Sequence, residues 1–332
     1  MTQAEKNLWA QEIAAALNSR FDLTVRDATV IELGWINIKW KMDTDRGPVF
    51  VKFYHPDRYR LHQRPDRREE MERTLRLQHG LNEAGVPCPK VYSHEHRFLQ
   101  ETSGGLWFAA SDWVEGRTVP AGSMTTSQMH DLGQAAGRMH AWLRSVPPLS
   151  RPAWEPDREA YMREWEVNRQ KALETGDETV IGWLNRSREI VQSMDFSRFE
   201  TCPTGWLHWD LWVDNLLLQG ERLAGIVDFD RMTMAYPGID VARAVLSGAL
   251  RDGNLRTEAV RSFMKGYRTY SEMPRGLLSR SMQMLYLVES IWWLRTEVRR
   301  ESGLRALLGR FIEEMHWIED RWNVLPDLLD EV

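Results

Sequence analysis

The sequence predicts an α+β protein with two lobes: a small lobe built on an antiparallel sheet, and a larger lobe that is mainly helical. Between residues 36 and 53, apolar and polar side chains alternate in two runs, as in half-buried strands. Beyond Gly116 the apolar residues recur at steps of three and four, as on the buried face of a helix. A polar stretch at 112–116 separates the two patterns. We therefore expect a first lobe at 1–111, a hinge at 112–116 and a second lobe at 117–332.

The first lobe is expected to begin with an amphipathic helix, whose apolar residues share one face: Leu8, Trp9, Ile13, Ala14 and Leu17. Two strands follow at 36–42 and 49–53, joined by a turn at 43–47. The next segment, 67–84, has a helical pattern with many charges, and it ends where glycine and prolines begin. Two shorter runs are candidates for further strands: 90–92 and 106–110.

The second lobe shows helical periodicity along most of its length. Helices are expected at 132–143, 158–172, 181–191, 241–250, 258–270, 277–297 and 305–322. A segment of different character, residues 208–230, interrupts them. We find no internal repeat and no low-complexity tract.

Composition narrows the classes of function. The chain has 332 residues, 42% of them apolar and 27% charged, which is typical of a globular protein with real cores. The net charge of −5 gives no electrostatic basis for binding nucleic acid or an anionic membrane. Neither Cys88 nor Cys202 has metal-ligand spacing, so we expect reduced thiols in a cytoplasmic protein. The sequence has neither an apolar run long enough to span a membrane nor a secretion signal at its start.

The segment that interrupts the helices is predicted to contain a β-hairpin. A short apolar run at 216–218 is followed by a turn-like stretch at 219–222 and a second apolar run at 223–227. If the runs pair about that turn, Asn215 faces Asp228 at the open end of the hairpin. Directly opposed residues of an antiparallel pair lie roughly 4.5–5.5 Å apart at Cα. Two oxygen-bearing side chains would then converge.

These side chains point to phosphoryl transfer. Carboxylate and amide oxygens are the ligands that Mg²⁺ prefers, so Asn215 and Asp228 are candidate metal ligands. Asp210 lies five residues before Asn215 and is the candidate general base, which would accept or orient the proton of a substrate hydroxyl. The alternative is a surface hairpin with ordinary polar ends. The presence of a third candidate side chain, Asp210, on the same loop favours the catalytic interpretation.

These motifs resemble those of the aminoglycoside phosphotransferase and choline kinase-like family, a branch of the protein-kinase-like fold. The pattern His-x-Asp-x-x-x-x-Asn is matched by His208, Asp210 and Asn215, and Asp228 stands before Phe229 as the family's metal-binding aspartate does. A third match is Asp240-Val241-Ala242, at the start of a predicted helix. The resemblance implies an ATP- and Mg²⁺-dependent kinase for a small-molecule hydroxyl, with His208 and Asp240 supporting the loop.

The first lobe matches the family more weakly. Gly34 to Asn37 resembles the nucleotide loop, and Asp112 to Gly116, with Asp112 and Val114 as the candidate binding residues, resembles the hinge that meets adenine. No Gly-x-Gly-x-x-Gly occurs in this lobe, so phosphate binding rests on fewer backbone donors. The family also often has glycine where Trp209 stands.

Lys52 resembles the family's phosphate-binding lysine, since it lies in the strand Phe50-Val51-Lys52. The family pairs this lysine with a glutamate of the following helix. We favour Glu70, which shares a helical face with apolar residues, while Glu69 and Glu72 stay open. Neighbouring lysines on the preceding strand are taken as ordinary surface residues.

Other functions remain to be weighed. A protein serine/threonine kinase of the same fold is the nearest, followed by a non-catalytic nucleotide-binding scaffold and a metal-dependent hydrolase. The acceptor is open among aminoglycosides, choline-like alcohols, homoserine and sugars, and ATP is not distinguished from GTP. A cation-binding aromatic cage is a further hypothesis. Its candidate residues are Trp209, Trp212, Trp292, Trp293, Glu289 and Glu297.

Overall fold

Two units divide the chain, and each is described by itself. Their residues are Met1–Arg117 with Ala224–Asp230 for the first, and Thr118–Leu223 with Arg231–Val332 for the second. The structure is a computed structural model that describes residues 2–31 and 38–330.

The first unit contains a five-stranded antiparallel sheet in the order β1-β2-β3-β5-β4. Its elements are α1 (Gln3–Phe21), β1 (Val25–Ile31), β2 (Ile38–Thr44), β3 (Gly47–Tyr54), α2 (Pro56–Tyr59), α3 (Pro65–Glu83), β4 (Gln100–Glu101) and β5 (Trp107–Asp112). In the β2–β3 register, Trp40 stands opposite Val51 and Lys39 stands opposite Lys52. Because directly opposed residues point to the same face of a sheet, the two lysines share a face.

The opening helix packs against one face of this sheet. Thr2 and Glu5 form a capping box at its start. Ile13 and Leu17 are fully buried in a core that includes Phe53 and Phe108. The predicted helix is therefore confirmed, but its predicted apolar face is only partly right, because Leu8 is 66% exposed.

The strand predictions in this unit were right at β2, β3 and β5 and incomplete elsewhere. β1 was missed because its burial pattern does not alternate along the strand. The run at 90–92 makes only an isolated bridge, between Val91 and Ser111, rather than a strand. The predicted turn between β2 and β3 is confirmed, and Gly47 there has φ +107, a backbone conformation that suits glycine.

The segment 224–230 groups with the first unit, although the sequence placed all of 117–332 in the second lobe. The Ile226 N–H donates to the Pro87 carbonyl at 2.8 Å. At Gly225 an added Cβ would lie 3.1 Å from Val114 Cγ1, so the backbone there passes close to Val114. The assignment of 224–230 to the first unit therefore follows from contacts with residues that are distant in sequence, such as Pro87 and Val114.

The second unit is mainly helical. Its elements are α4 (Thr126–Leu143), α5 (Arg158–Thr175), α6 (Glu178–Ser193), β6 (Gly205–Leu207), β7 (Leu216–Gln219), β8 (Arg222–Ile226, whose last residues belong to the first unit), β9 (Thr233–Ala235), α7 (Gly238–Ala249), β10 (Leu250–Arg251), β11 (Asn254–Leu255), α8 (Thr257–Tyr267), α9 (Leu277–Trp293), α10 (Thr296–Arg300), α11 (Ser302–Asp320) and α12 (Leu325–Asp330). The helix predicted at 277–297 instead breaks after Trp293 into α9 and α10. The other predicted helices are present with small shifts of their ends.

Within residues 2–31 and 38–330, no helix combines the length and the apolar character that a membrane span requires.

Candidate active site

A loop in the second unit carries three of the predicted site residues, His208, Asp210 and Asn215, and a fourth, Asp240, binds it from α7. It begins after β6, which pairs antiparallel with β9, and it ends in a 3-10 turn at Val213–Asn215 before β7. The predicted hairpin follows, since β7 and β8 form a two-stranded sheet, and Gly220 in its turn has φ +59. The opposition of Asn215 and Asp228 at the end of this hairpin stays a prediction.

Asp240 fixes the start of the loop. It lies in the first turn of α7 and is fully buried. Its Oδ2 accepts the His208 N–H at 2.7 Å, and its Oδ1 accepts the Trp209 N–H at 2.8 Å. Charge-assisted bonds to buried backbone donors are among the stronger hydrogen bonds in proteins. Asp240 therefore holds the backbone that leads to Asp210.

His140 supports Asp240 from α4, a contact that sequence reasoning missed. Its Nε2 lies 3.1 Å from Asp240 Oδ2, and its Nδ1 lies 2.9 Å from the Tyr267 hydroxyl. A carboxylate only accepts, so in a neutral ring Nε2–H donates to Asp240 while the tyrosine O–H donates to Nδ1. Burial raises the pKa of Tyr267, which keeps this donor protonated. The sequence showed only a histidine on an apolar helical face.

Asp210 and Asn215 are in direct contact. The Asn215 Nδ2 donates to the Asp210 backbone carbonyl at 2.9 Å and to its carboxylate Oδ2 at 3.2 Å. The Asp210 N–H in turn donates to His208 Nδ1 at 3.3 Å. With its amide nitrogen directed at Asp210, Asn215 has Oδ1 as the atom suited to a cation. One side chain can thus orient the candidate base and offer an oxygen ligand.

Trp209 stands in the left-handed region, with φ +70. This conformation is costly for a residue with a Cβ, and glycine is the residue that adopts it at the least cost. Its ring lies edge-on to Trp154, with 6.3 Å between ring centroids, and Trp154 lies 6.0 Å from Tyr236. The half-buried Trp209 ring is thus part of an aromatic row beside Asp210.

In the first unit, Lys52 meets the predicted metal ligand Asp228. Lys52 Nζ lies 2.9 Å from Asp228 Oδ1 and 2.5 Å from Asp230 Oδ2. Lys39 Nζ lies 3.4 Å from Asp228 Oδ2. Burial lowers the pKa of Lys52, but the charges of Asp230 and Asp228 outweigh it, and the net shift is upward. Lys52 therefore remains a cation although its side chain is only 7% exposed.

The expected pairing of Lys52 with Glu70 is not seen. In the part of the chain that the structure describes, Lys52 pairs with Asp228 and Asp230, while Glu70 is exposed on α3. The Glu72 carboxylate is engaged elsewhere: it accepts hydrogen bonds from the Phe98 and Leu99 backbone N–H groups at 2.8–3.1 Å. The two aspartates already supply the negative charge that a buried ammonium requires.

The remaining predicted nucleotide residues are only partly described. Gly34 and Asn37 lie outside the described residues. In the hinge, Asp112 is exposed at the end of β5 and accepts the Tyr92 hydroxyl at 2.9 Å. Val114 packs against the backbone of Gly225, which follows it far along the chain.

The tryptophans suggested as a cation cage do not gather in one place. Trp212 and Trp293 both stack on Phe311, with ring centroids 5.1 and 4.0 Å away, so they belong to the core. Trp292 is 46% exposed and lies under the Arg295 guanidinium. Of the two carboxylates, Glu297 pairs with Lys171 and Glu289 with Arg243. Between 2–31 and 38–330, no three His, Cys, Asp or Glu side chains are grouped as metal ligands.

The antiparallel sheet of the first unit and the mainly helical second unit give the chain a protein-kinase-like fold. The chain belongs to the phosphotransferase enzyme family (APH), whose family model matches residues 27–276. The family predicted from the motifs is thereby confirmed, as is the enzyme class: a kinase that acts on a hydroxyl group of a small molecule.

Individual proteins resemble the chain along most of its length. A homoserine kinase of Rhizobium meliloti (strain 1021) is 25% identical over 246 residues, which cover 72% of this chain and 67% of the relative. Among solved structures, a microcompartment-associated aminopropanol kinase matches with a TM-score of 0.64 and 17% identity, over 96% of this chain and 99% of its own. An amicoumacin kinase in complex with AMP-PNP and Ca²⁺ matches with a TM-score of 0.58 and 18% identity, over 95% and 96%. The structural matches establish the fold.

Proposed function

We propose that this phosphotransferase uses ATP and Mg²⁺ to phosphorylate the hydroxyl of a small molecule, with Asp210 as its base. The observation that carries the proposal is the contact between Lys52 Nζ and Asp228 Oδ1 at 2.9 Å. A phosphate-binding cation and a metal-binding carboxylate have to act on the same phosphate chain, so their adjacency is what the chemistry requires.

The donor groups fit a magnesium ion. Asp228 offers carboxylate oxygens, and Asn215 offers the amide oxygen Oδ1, both of them ligands for a hard cation. Magnesium usually keeps several waters and takes few protein ligands when it also binds phosphates, so two side chains are sufficient. When bound, the ion would neutralise charge that develops on the transferred phosphoryl group.

Asp210 would accept the proton of the acceptor hydroxyl, or orient that hydroxyl in line with the γ-phosphate. Its carboxylate is half-buried and is held by Asn215 at 3.2 Å, which limits its rotation. His208 and Asp240 would keep the loop in shape through the hydrogen bonds described above. The carboxylate is thereby preorganised, which lowers the cost of reaching the transition state.

The nucleotide would also be bound by residues of the first unit. We assign the phosphates to Lys52, and the adenine to the backbone of the hinge at Asp112 and Val114. Gly34 and Asn37 keep their proposed place in the nucleotide loop. For Glu70 the structure offers no supporting contact.

The acceptor is a small hydroxyl-bearing molecule. Homoserine, an amino alcohol such as aminopropanol, and an aminoglycoside form the first test panel, because the relatives and structural neighbours carry those substrates in their names. A protein serine/threonine kinase was the nearest alternative. Labelling of protein in place of small acceptors would favour it.

Transfer of radiolabelled phosphate from ATP to this panel tests the proposal. The parent should label at least one acceptor in the presence of Mg²⁺, and Asp210→Asn should bind ATP normally yet transfer at least about a hundredfold more slowly. Asp252→Asn is the control, since Asp252 is an exposed carboxylate outside this loop, and it should transfer at the parent rate. Equal rates for parent and Asp210→Asn would remove Asp210 from its role.

A further inference from the structure

Two lysines stand directly opposite each other in the sheet of the first unit. Lys39 on β2 is the register partner of Lys52 on β3, and both side chains point to the same face. Like charges in opposed positions destabilise a strand pair, and these are mostly buried, with side chains 15% and 7% exposed. The arrangement therefore needs a reason.

Two aspartates balance the two lysines. Asp228 forms ion pairs with both lysines: its Oδ1 lies 2.9 Å from Lys52 Nζ, and its Oδ2 lies 3.4 Å from Lys39 Nζ. Asp230 Oδ2 lies 2.5 Å from Lys52 Nζ. The four charges sum to zero, so the cluster is neutral in the protein alone. Asp228 also has φ +63, in the left-handed region of the backbone.

Binding of a nucleotide changes this balance. If the Asp228 carboxylate binds a metal ion, its negative charge is less available to the ammonium groups of Lys39 and Lys52. The phosphates of the same nucleotide carry the anionic oxygens that replace it. One lysine is the family's phosphate-binding residue, and the second lysine shares its face and its carboxylate partner.

We propose that Lys39 is a second phosphate-binding cation, which contacts the nucleotide's phosphates together with Lys52. The inference rests on the proposed function, because it requires that ATP binds in this unit. A second lysine would also compensate for a missing motif. No Gly-x-Gly-x-x-Gly occurs in the first lobe, so few backbone N–H groups are available to bind phosphate. A lysine ammonium provides three N–H donors and a positive charge.

A purely structural role for Lys39 makes a different prediction. If Lys39 only steadies Asp228, its removal acts through the metal, so it weakens the binding of Mg-ATP but leaves the binding of metal-free ATP unchanged. If Lys39 binds phosphate, its removal weakens the binding of ATP both with and without Mg²⁺ and leaves adenosine binding intact. The comparison of Mg-ATP, metal-free ATP and adenosine therefore separates the roles.

The experiment measures the dissociation constants of Mg-ATP, metal-free ATP (with EDTA) and adenosine for the full-length parent, Lys39→Met, Lys39→Arg and Lys41→Met. Lys41 is the matched control: it lies two residues along β2 on the same face, but it contacts Glu115 at 4.0 Å and the Trp113 ring at 5.0 Å instead of Asp228. Lys39→Met should weaken the binding of Mg-ATP and of metal-free ATP about tenfold each, the loss expected for one charge-assisted contact. Adenosine affinity should not change, Lys39→Arg should restore most of the ATP affinity, and Lys41→Met should match the parent.

Two outcomes would overturn the inference. One is a Lys39→Met variant that binds metal-free ATP within about twofold of the parent, because a loss confined to Mg-ATP would place the effect at Asp228 and the metal. The other is an equal loss of ATP and adenosine affinity, which would mean that the nucleotide site is disturbed as a whole. If the parent binds ATP and transfers its phosphate, and Lys39→Met binds ATP as the parent does, only the role of Lys39 is refuted and the proposed function stands. A parent that binds no ATP would refute the proposed function as well.

Discussion

Trp209 and Asp240 are joined by a hydrogen bond in which the Trp209 backbone N–H donates to Asp240 Oδ1 at 2.8 Å. The other carboxylate oxygen accepts the His208 N–H at 2.7 Å and faces His140 Nε2 at 3.1 Å. One buried side chain thus holds the backbone at the point where it takes a left-handed turn, with φ +70 at Trp209. The residue after this turn is the proposed base, Asp210.

Replacement of Asp240 by asparagine should destabilise the protein strongly. The amide presents an NH₂ to backbone N–H donors, so at least one buried donor loses its acceptor, at a cost of about 2–4 kcal/mol. Urea unfolding of the full chain would measure this loss. Asp252→Asn is the control, because that side chain is 89% exposed, and its stability should match the parent. A similar stability for both variants would mean that Asp240 does not hold the loop.

The backbone at Trp209 predicts an unusual order of two small substitutions. Both Trp209→Ala and Trp209→Gly lose the ring contact with Trp154. Only glycine adopts φ +70 without steric cost, so the glycine variant should be more stable than the alanine variant by about 1 kcal/mol. Alanine is normally the more stabilising of the two residues. If Trp209→Ala unfolds at the same urea concentration as Trp209→Gly, or at a higher one, the backbone at this position is not strained.

The fold could be predicted from the sequence where one periodicity persists over many residues. α1, β3 and the long helices of the second unit were predicted for this reason. β1 was missed because its partly exposed side chains do not alternate. The assignment of 224–230 to the first unit depends on contacts such as Ile226 with Pro87, which a local pattern does not contain. Break points inside apolar helices, as between α9 and α10, are equally invisible to periodicity.

The candidate site was predictable only where spacing carried the information. His208, Asp210 and Asn215 were found by their spacing, and Asp228 by the hairpin before it. His140 and Lys39 were not, because each reaches its aspartate across a long stretch of chain, 100 residues for His140 and 189 for Lys39. The Glu70 pairing was expected from the family, but two nearer aspartates take its place beside Lys52.

Cys88 should be unreactive in the folded protein. Burial raises the pKa of its thiol from 9.0 to about 12, so almost no thiolate is present at pH 8. In a Cys202→Ser background, iodoacetamide should label the native protein far more slowly than the urea-unfolded protein. Between pH 9.0 and about 12 the unfolded chain releases this proton while the folded chain keeps it, so the free energy of unfolding attributable to Cys88 falls as the pH rises. Rapid native labelling would show that the thiol is accessible.

The central claim is that Lys52 and Asp228 form a site for metal and nucleotide, and thermal unfolding with Mg-ATP tests it most directly. At a concentration about a hundred times the dissociation constant, Mg-ATP should stabilise the parent by about 2.7 kcal/mol and raise its Tm accordingly. Asp228→Asn retains the side-chain shape and suits the left-handed backbone at φ +63. It should lose most of the shift, whereas Asp43→Ala, which removes an exposed carboxylate from β2, should keep it. A parent whose Tm does not rise with Mg-ATP, or an Asp228→Asn variant that keeps the full rise, would contradict the account.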